Sequence, residues 1–361
     1  MNDKSIRNIL VIRFRRVGDV VLSTVLCTTL KRSFPEAQIH YVLNEAIAPL
    51  LERHPDIDKL LTFNDKELHN TCLYVTKVRK IMKEVHYDMI VDARTTFKTL
   101  LFALFSLSTP FRLGKKKAYN FLHNLQTNNE AYRFPDQDET ALNLALLKPL
   151  EKKFNIFYHK NFQLYVTEQE KAAYRAYMTG QGIDFHQPIV FCVVTTRCKT
   201  KRWNMGSMES ILLKMMDKYH DVQWIFNYTG DEKEEAMELY HRLGKPQNIY
   251  VNIEAKGLRD LMALLSNMDF YFGNEGGARH IAQALGIPNF SIYLSHVPKT
   301  EWLPNQDEHN QGIEPADLCE SEKFSRLTTE EKNTLLTADE VWKKLYPMLN
   351  KYVYENRKST S

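Results

Sequence analysis

Two α/β domains in series, each built on a doubly wound parallel sheet, are what this sequence predicts. Three observations carry that reading. The chain has 361 residues, more than one ordinary hydrophobic core accommodates. Short apolar runs alternate with helix-patterned segments through both halves. Between the halves, over residues 115–185, the alternation lapses in a stretch rich in Asn, Gln, Lys and aromatics, and the domain junction is expected within residues 155–187.

In the first half, residues 8–14 are an apolar, β-branched run, and 20–31 carry helical spacing through Val21, Val25, Leu26 and Leu30. Residues 39–43 and 59–63 read as the next strands, 73–85 as an amphipathic helix and 88–91 as a strand with a continuous apolar centre. A helix over 96–107 and a short strand at 111–113 follow. In the second half strands are expected at 188–194, 222–228, 249–251, 269–272 and 289–293, with helices at 208–219, 231–243, 258–266 and 277–285. Residues 312–337 read as irregular and 338–349 as a closing helix. Strands that are apolar throughout, not alternating, belong to sheets covered on both faces, and such sheets bind ligands at the carboxyl ends of their strands. A two-substrate reaction would then use the cleft between the domains.

Hydrophobic content of 43%, charged content of 25% and a net charge of +4 describe a soluble globular protein and give no argument for a nucleic-acid partner. The five cysteines, Cys27, Cys72, Cys192, Cys198 and Cys319, are scattered without a CxxC pair, which points away from a zinc site or a disulfide framework and towards a reduced, cytoplasmic setting. The first 14 residues have no apolar stretch suited to a signal peptide. No run approaches the roughly 18 apolar residues of a membrane span; residues 99–107 read as a buried helix face, so membrane contact would be peripheral.

Three strand ends carry the chemistry. The first is Arg13-Phe14-Arg15-Arg16-Val17-Gly18-Asp19. It has no GxGxxG, so a dinucleotide site is a poor reading. Gly18 permits a tight backbone path. Asp19 at a helix start is either an N-cap or first-turn carboxylate, or a general base, with Arg13, Arg15 and Arg16 drawing in an anionic substrate. The second is Thr195-Thr196-Arg197-Cys198-Lys199-Thr200-Lys201-Arg202, where hydroxyls and cations suit a diphosphate. The third is Gly273-Asn274-Glu275-Gly276-Gly277-Ala278-Arg279-His280, a strand–loop–helix corner whose free N–H groups and helix dipole favour an anion. Glu275 there competes with such an anion or accepts a sugar hydroxyl; His280 reads as a packed histidine. Glu234, in the acidic start of the helix over 231–243, is a weaker candidate for a ribose hydroxyl. The Lys115, Lys116 and Lys117 run is a solvated face or part of an acceptor site.

The segments ILVIRFRRVGDVVLSTVLCTTLKRSFPEAQIHYV, VDARTTFKT with PFRLG, VVTTRCKTKRW and GNEGGARHIAQALGIPNFSIY, in this order, resemble glycosyltransferase family 9, the ADP-heptose:lipopolysaccharide heptosyltransferases. The resemblance implies the GT-B architecture, two Rossmann-like doubly wound domains facing across a cleft. It divides the chain into an acceptor-binding domain over 1–170, a sugar-nucleotide-binding domain over 171–335 and a C-terminal helix within 336–361 that packs back on the N-terminal domain. It implies inverting transfer of a sugar, heptose from ADP-heptose, onto a lipid-linked anionic core saccharide at the inner face of the cytoplasmic membrane, with no metal. Position by position, Asp19 matches the family's base, Thr195 and Thr196 its diphosphate hydroxyls and Lys201 its neutralising lysine. Gly276, Gly277 and His280 match the donor-facing helix start, and Glu234 a ribose-binding glutamate. Arg202 falls with the donor group, and Arg13, Arg15, Arg16 and Gly18 with the acceptor group. Two departures stand out: Glu275 where the family has aspartate, and Arg279, which could supply another cation to the donor. The rival readings are a transferase or epimerase using another sugar nucleotide, and a non-catalytic sugar-nucleotide sensor.

Overall fold

The computed structural model describes residues 6–128 and 138–355. The first five residues and residues 129–137, part of the stretch where the sequence rhythm lapses, lie outside the described residues. The chain forms two compact units, residues 1–165 and 166–361.

The first unit runs β1 (Asn8–Ile12), α1 (Val17–Ser33), β2 (Gln38–Asn44), β3 (Lys59–Phe63), α2 (Asp65–His69), α3 (Thr71–Glu84), β4 (Met89–Asp92), α4 (Leu100–Leu104), β5 (Phe111–Lys115), β6 (Leu125–Thr127) and α5 (Glu139–Leu144). The second runs α6 (Glu168–Gly180), β7 (Ile189–Val193), α7 (Met205–Lys218), β8 (Gln223–Phe226), α8 (Lys233–Arg242), β9 (Ile249–Tyr250), α9 (Leu258–Leu265), β10 (Phe270–Asn274), α10 (Gly277–Ala284), β11 (Asn289–Ile292), α11 (Lys299–Trp302), β12 (Asn310–Ile313), α12 (Ser321–Arg326), α13 (Thr329–Thr334) and α14 (Ala338–Leu349).

Each unit holds one six-stranded sheet, in the orders β3-β2-β1-β4-β5-β6 and β12-β11-β10-β7-β8-β9, and every pairing is parallel. Counted from its own first strand, each sheet has the order 3-2-1-4-5-6, the doubly wound arrangement in which the winding reverses between the first and fourth strands. Those switch points fall between β1 and β4, where Ile12 pairs with Asp92, and between β7 and β10, where Val193 pairs with Gly273.

The apolar strands are buried as expected: β4, β8 and β10 have no exposed residue. The first core gathers Leu10, Ile12, Val42, Phe63, Val78, Ile90 and Phe102. The second gathers Val190, Trp203, Trp224, Phe226, Phe270, Phe272 and Phe290, and it includes Val341, Leu345, Met348 and Leu349 of α14. That burial fixes α14 within the second unit, packed on α7, β11 and β12. Residues 115–185, where the sequence rhythm lapses, supply β6, α5, a 3-10 turn over Ala145–Lys152 and α6. Residues 312–337 likewise hold α12 and α13. Among the described residues no helix is long and apolar enough to cross a membrane.

Candidate functional site

At the first switch point β1 ends at Ile12 and α1 begins at Val17, earlier than the apolar spacing suggests, so Gly18 and Asp19 lie inside the helix. Arg16 is the N-cap and makes no side-chain cap bond; Asp19 is the first-turn carboxylate, where the helix dipole favours it. Its Oδ1 accepts from Arg13 Nη2 at 2.5 Å. The same nitrogen donates to Glu139 Oε1 at 2.5 Å, and Arg13 Nη1 donates to the Ala93 carbonyl at 2.7 Å. Arg13 is 5% exposed. Burial disfavours its charge, but Glu139 and Asp19 outweigh that and bind its proton more tightly than usual. The three arginines expected to act together are thus divided: Arg13 is buried in an ion pair, while Arg15 and Arg16 are exposed. Arg15 holds a φ of +117° and its N–H donates to Asn44 Oδ1 at 3.3 Å.

The neighbouring strand end braces this corner. Asp92, fully buried, accepts the N–H groups of Arg94 and Thr95 at 3.0 and 2.7 Å, shaping the turn whose Ala93 carbonyl holds Arg13. Its other oxygen lies 3.7 Å from His123 Nε2. Burial pushes Asp92 up to about 6 and His123 down to about 4. The lysine run is not one face: Lys115 ends β5 half-buried, Lys116 is exposed, and Lys117 Nζ donates to the Thr95 carbonyl at 2.8 Å. Burial lowers the Lys115 pKa, Glu139 opposing.

At the second switch point the loop after β7 meets the loop after β10. Gly273 stands at φ +140°, and a Cβ there would lie 2.3 Å from the Val193 carbonyl oxygen, so only glycine fits between the two strands. Asn274, fully buried, accepts the Trp203 N–H at 2.8 Å and donates to the Val193 carbonyl at 3.0 Å. This anchors the 199–203 segment and carries Lys201 to Glu275, Nζ to Oε2 2.8 Å. Thr195 is 1% exposed, and its hydroxyl has no partner among the described residues; Thr196 is half-buried. Gly276 caps α10 without a side-chain bond; the Arg279 N–H turns back on the Gly276 carbonyl at 3.1 Å, so among the described residues no side chain at Gly276 caps the start of the helix.

Glu275 is 4% exposed. Burial would raise its pKa, but His280 and Lys201 outweigh burial and hold it at about 2. His280 Nε2 lies 3.6 Å from Glu275 Oε1. Burial, then the Arg279 guanidinium, pushes His280 down to about 4, with Glu275 pulling the other way. The imidazole is therefore neutral at neutral pH. Arg279 Nη2 lies nearest His280 Nδ1, and a guanidinium only donates, which assigns the ring proton to Nε2, facing Glu275. Arg279 itself is fully buried, its donors directed to Gln283, His280 and the Trp302 carbonyl. It acts on His280 and on the 302–304 segment instead of offering a free cation to a ligand. Arg202 pairs with Glu235, and Glu234 is exposed one residue away on α8. Glu139, Asn274 and Asp92 are the site residues that sequence reasoning passed over. Among the described residues no group of three or more His, Cys, Asp or Glu side chains is arranged to hold a metal ion.

Two doubly wound parallel sheets, each with a polar corner at its switch point, make up the GT-B fold. Residues 75–333 match Glycosyltransferase family 9 (heptosyltransferase), and the chain belongs to that family. Lipopolysaccharide heptosyltransferase 1 of Campylobacter coli is 23% identical over 312 residues, covering 79% of this chain and 83% of that protein. Lipopolysaccharide heptosyltransferase 2 of Escherichia coli K12 is 25% identical over 302 residues, covering 80% and 83%. Among solved structures, the family 9 glycosyl transferase of Veillonella parvula superposes with a TM-score of 0.78 at 14% identity, over 96% of this chain and 97% of that one. The E. coli ADP-heptose lps heptosyltransferase II does so with a TM-score of 0.70 at 21% identity, over 95% and 99%.

Proposed function

We propose that this glycosyltransferase moves heptose from ADP-heptose onto a hydroxyl of a lipopolysaccharide-type, lipid-linked core saccharide, inverting the anomeric carbon. The observation that carries the reading is the corner at the second switch point. Lys201, the Thr195 and Thr196 hydroxyls and the start of α10 stand at adjacent strand ends, the set of donors a departing diphosphate needs. The names of the relatives supply the sugar: they are lipopolysaccharide heptosyltransferases, and a further E. coli structure, of heptosyltransferase WaaC, holds ADP-2-deoxy-2-fluoro heptose.

Asp19 is the base. Arg13 occupies its Oδ1, which leaves Oδ2 to take the proton of the acceptor hydroxyl. That oxygen attacks the anomeric carbon from the face opposite the diphosphate; the bond from carbon to diphosphate oxygen breaks, and ADP carries the electron pair away. Lys201 and the N–H groups of Gly276 and Gly277 meet the growing charge. Glu275, held ionised, accepts sugar hydroxyls and is where donor preference departs from that of relatives with the shorter aspartate. Arg15 and Arg16, both exposed, attract the anionic acceptor at the membrane's inner face.

Calorimetric titration with ADP, UDP and GDP, followed by turnover of ADP-heptose on a core saccharide, tests the proposal. Selective ADP binding with inverted product supports it. Tighter UDP or GDP binding, or ADP binding without turnover on any acceptor, refutes it, the latter in favour of a sensor. A Michaelis constant for acceptor that rises with salt is expected if Arg15 and Arg16 steer it, because exposed charges are screened beyond roughly 8 Å at physiological ionic strength.

A further inference from the structure

We infer that Glu139 is a positioning residue for Asp19: by sharing the Arg13 guanidinium, it fixes the Asp19 carboxylate and divides the pull that Arg13 exerts on it. The inference rests on the assignment of Asp19 as the base.

One nitrogen of Arg13 serves both carboxylates, at 2.5 Å each, while the other is fixed on the Ala93 carbonyl at 2.7 Å. Glu139 is 6% exposed, too enclosed to touch substrate. Its place is set from several sides. Asp138 caps α5 by accepting the Ala141 N–H at 2.9 Å, Asn143 Nδ2 donates to the Glu139 carbonyl at 2.8 Å, and α5 packs on α1, which carries Asp19.

The electrostatic consequence follows from the count of charges around Asp19. Arg13 adjoins it, and Arg94, from the turn after β4, and Lys115, from the end of β5, both feel its charge. Arg15 faces Arg94, Lys117 faces Lys115, Asp92 lies beneath the 93–95 turn, and the buried Tyr41 hydroxyl approaches from β2. A carboxylate alone among these cations would meet their undivided charge. Glu139 places a second negative charge on the same guanidinium, dividing its pull. The hydrogen bond to Oδ1 meanwhile keeps the carboxylate in place.

The test is the pH–rate profile of Glu139→Gln, which retains an oxygen for Arg13 and loses the charge. The acid limb of kcat/KM should move down by about one pH unit, and kcat should fall about 3- to 10-fold, with the KM for donor unchanged. Glu139→Asp, which keeps the charge on a shorter arm, should fall between Gln and wild type, and it carries the test if the Gln variant melts below assay temperature. An acid limb that coincides with wild type in the folded variant overturns the inference, whatever the rate does, because a merely structural role would lower activity without moving the limb. Asp19→Asn run in parallel separates the two claims. If it turned over at the wild-type rate, the base assignment itself would fall; if it is inactive while the Glu139→Gln limb stays put, only the role of Glu139 falls.

Discussion

Nζ of Lys201 lies 2.8 Å from Oε2 of Glu275, joining the loop after β7 to the loop after β10 across 74 residues of chain. The contact has Lys201 neutralise a buried carboxylate, and on the proposed mechanism the same ammonium offers charge to the donor. Lys201→Ala should therefore weaken ADP binding by at least about tenfold, since a charge-assisted contact contributes roughly 1.5–3 kcal/mol, and should slow turnover as well. It should also lower the melting temperature, because Glu275 loses its ammonium partner. Calorimetry and a thermal melt on the same sample check both, and a variant with wild-type ADP affinity would remove Lys201 from the donor site.

Asp19→Asn keeps the shape of the first-turn side chain and removes its proton affinity. Turnover should drop about 10²–10⁴-fold, the usual cost of losing a positioned base. Binding of ADP should stay near wild type, since the nucleotide contacts proposed above lie in the second unit. A joint loss of binding and turnover would point to misfolding and not to lost base catalysis.

Gly273→Ala places a methyl group 2.3 Å from the Val193 carbonyl oxygen at a φ of +140°. Neither strand can yield without breaking the β7–β10 pairing. Destabilisation above about 2 kcal/mol is expected, measured as a lower urea midpoint. Donor binding should fall with it, because the adjacent Asn274 anchors Trp203.

Acid stability follows from the buried titrating groups. His54, His123 and His280 are each lowered from 6.5 to about 4, by burial first in every case. Between those values the unfolded chain binds more protons than the folded one, so stability is lost as pH falls from 6.5 towards 4. Asp92, raised from 3.8 to about 6, binds its proton more tightly when folded and opposes this over the same range. With three histidines against one carboxyl, the melting temperature should fall between pH 7 and pH 4.5, and His280→Gln should flatten the slope. Below about pH 4.5, Glu275 adds a further loss as the pH approaches its folded value of about 2. A melting temperature independent of pH across these ranges would contradict the burial of these groups.

Much of the fold was legible because its strands are unbroken apolar runs: residues 59–63 coincide with β3, and the closing helix at 338–349 with α14. The lapse over 115–185 hid elements for identifiable reasons. β6 is three residues long with a polar Gln126 at its centre, and α5 is a short helix whose face is set by contact with α1. α6 did advertise itself, through the Thr167–Glu170 capping box. At the site, glycines, hydroxyls and cations directly after strands announced each corner. What they could not announce was direction. Arg13 turns inward while Arg15 and Arg16 face solvent, and Arg279 is buried on the side of Trp302. Glu139 meets Arg13 from 126 positions away, a pairing that no local pattern encodes.

The two sheets share one winding order, but the two helix starts fall on different strands of it: α1 follows the first strand of its sheet and α10 the fourth of its own. In the first unit the opening turn of α1 carries its own anion, Asp19, so the helix dipole is answered by the protein. In the second unit the opening turn of α10 carries no acidic residue, so the same dipole is left for a guest anion to answer. On the proposed mechanism, two strand-to-helix turns that flank their switch points from opposite strands serve opposite ends of one reaction, one taking a proton and the other holding the leaving group, according to whether a carboxylate stands in the first helical turn.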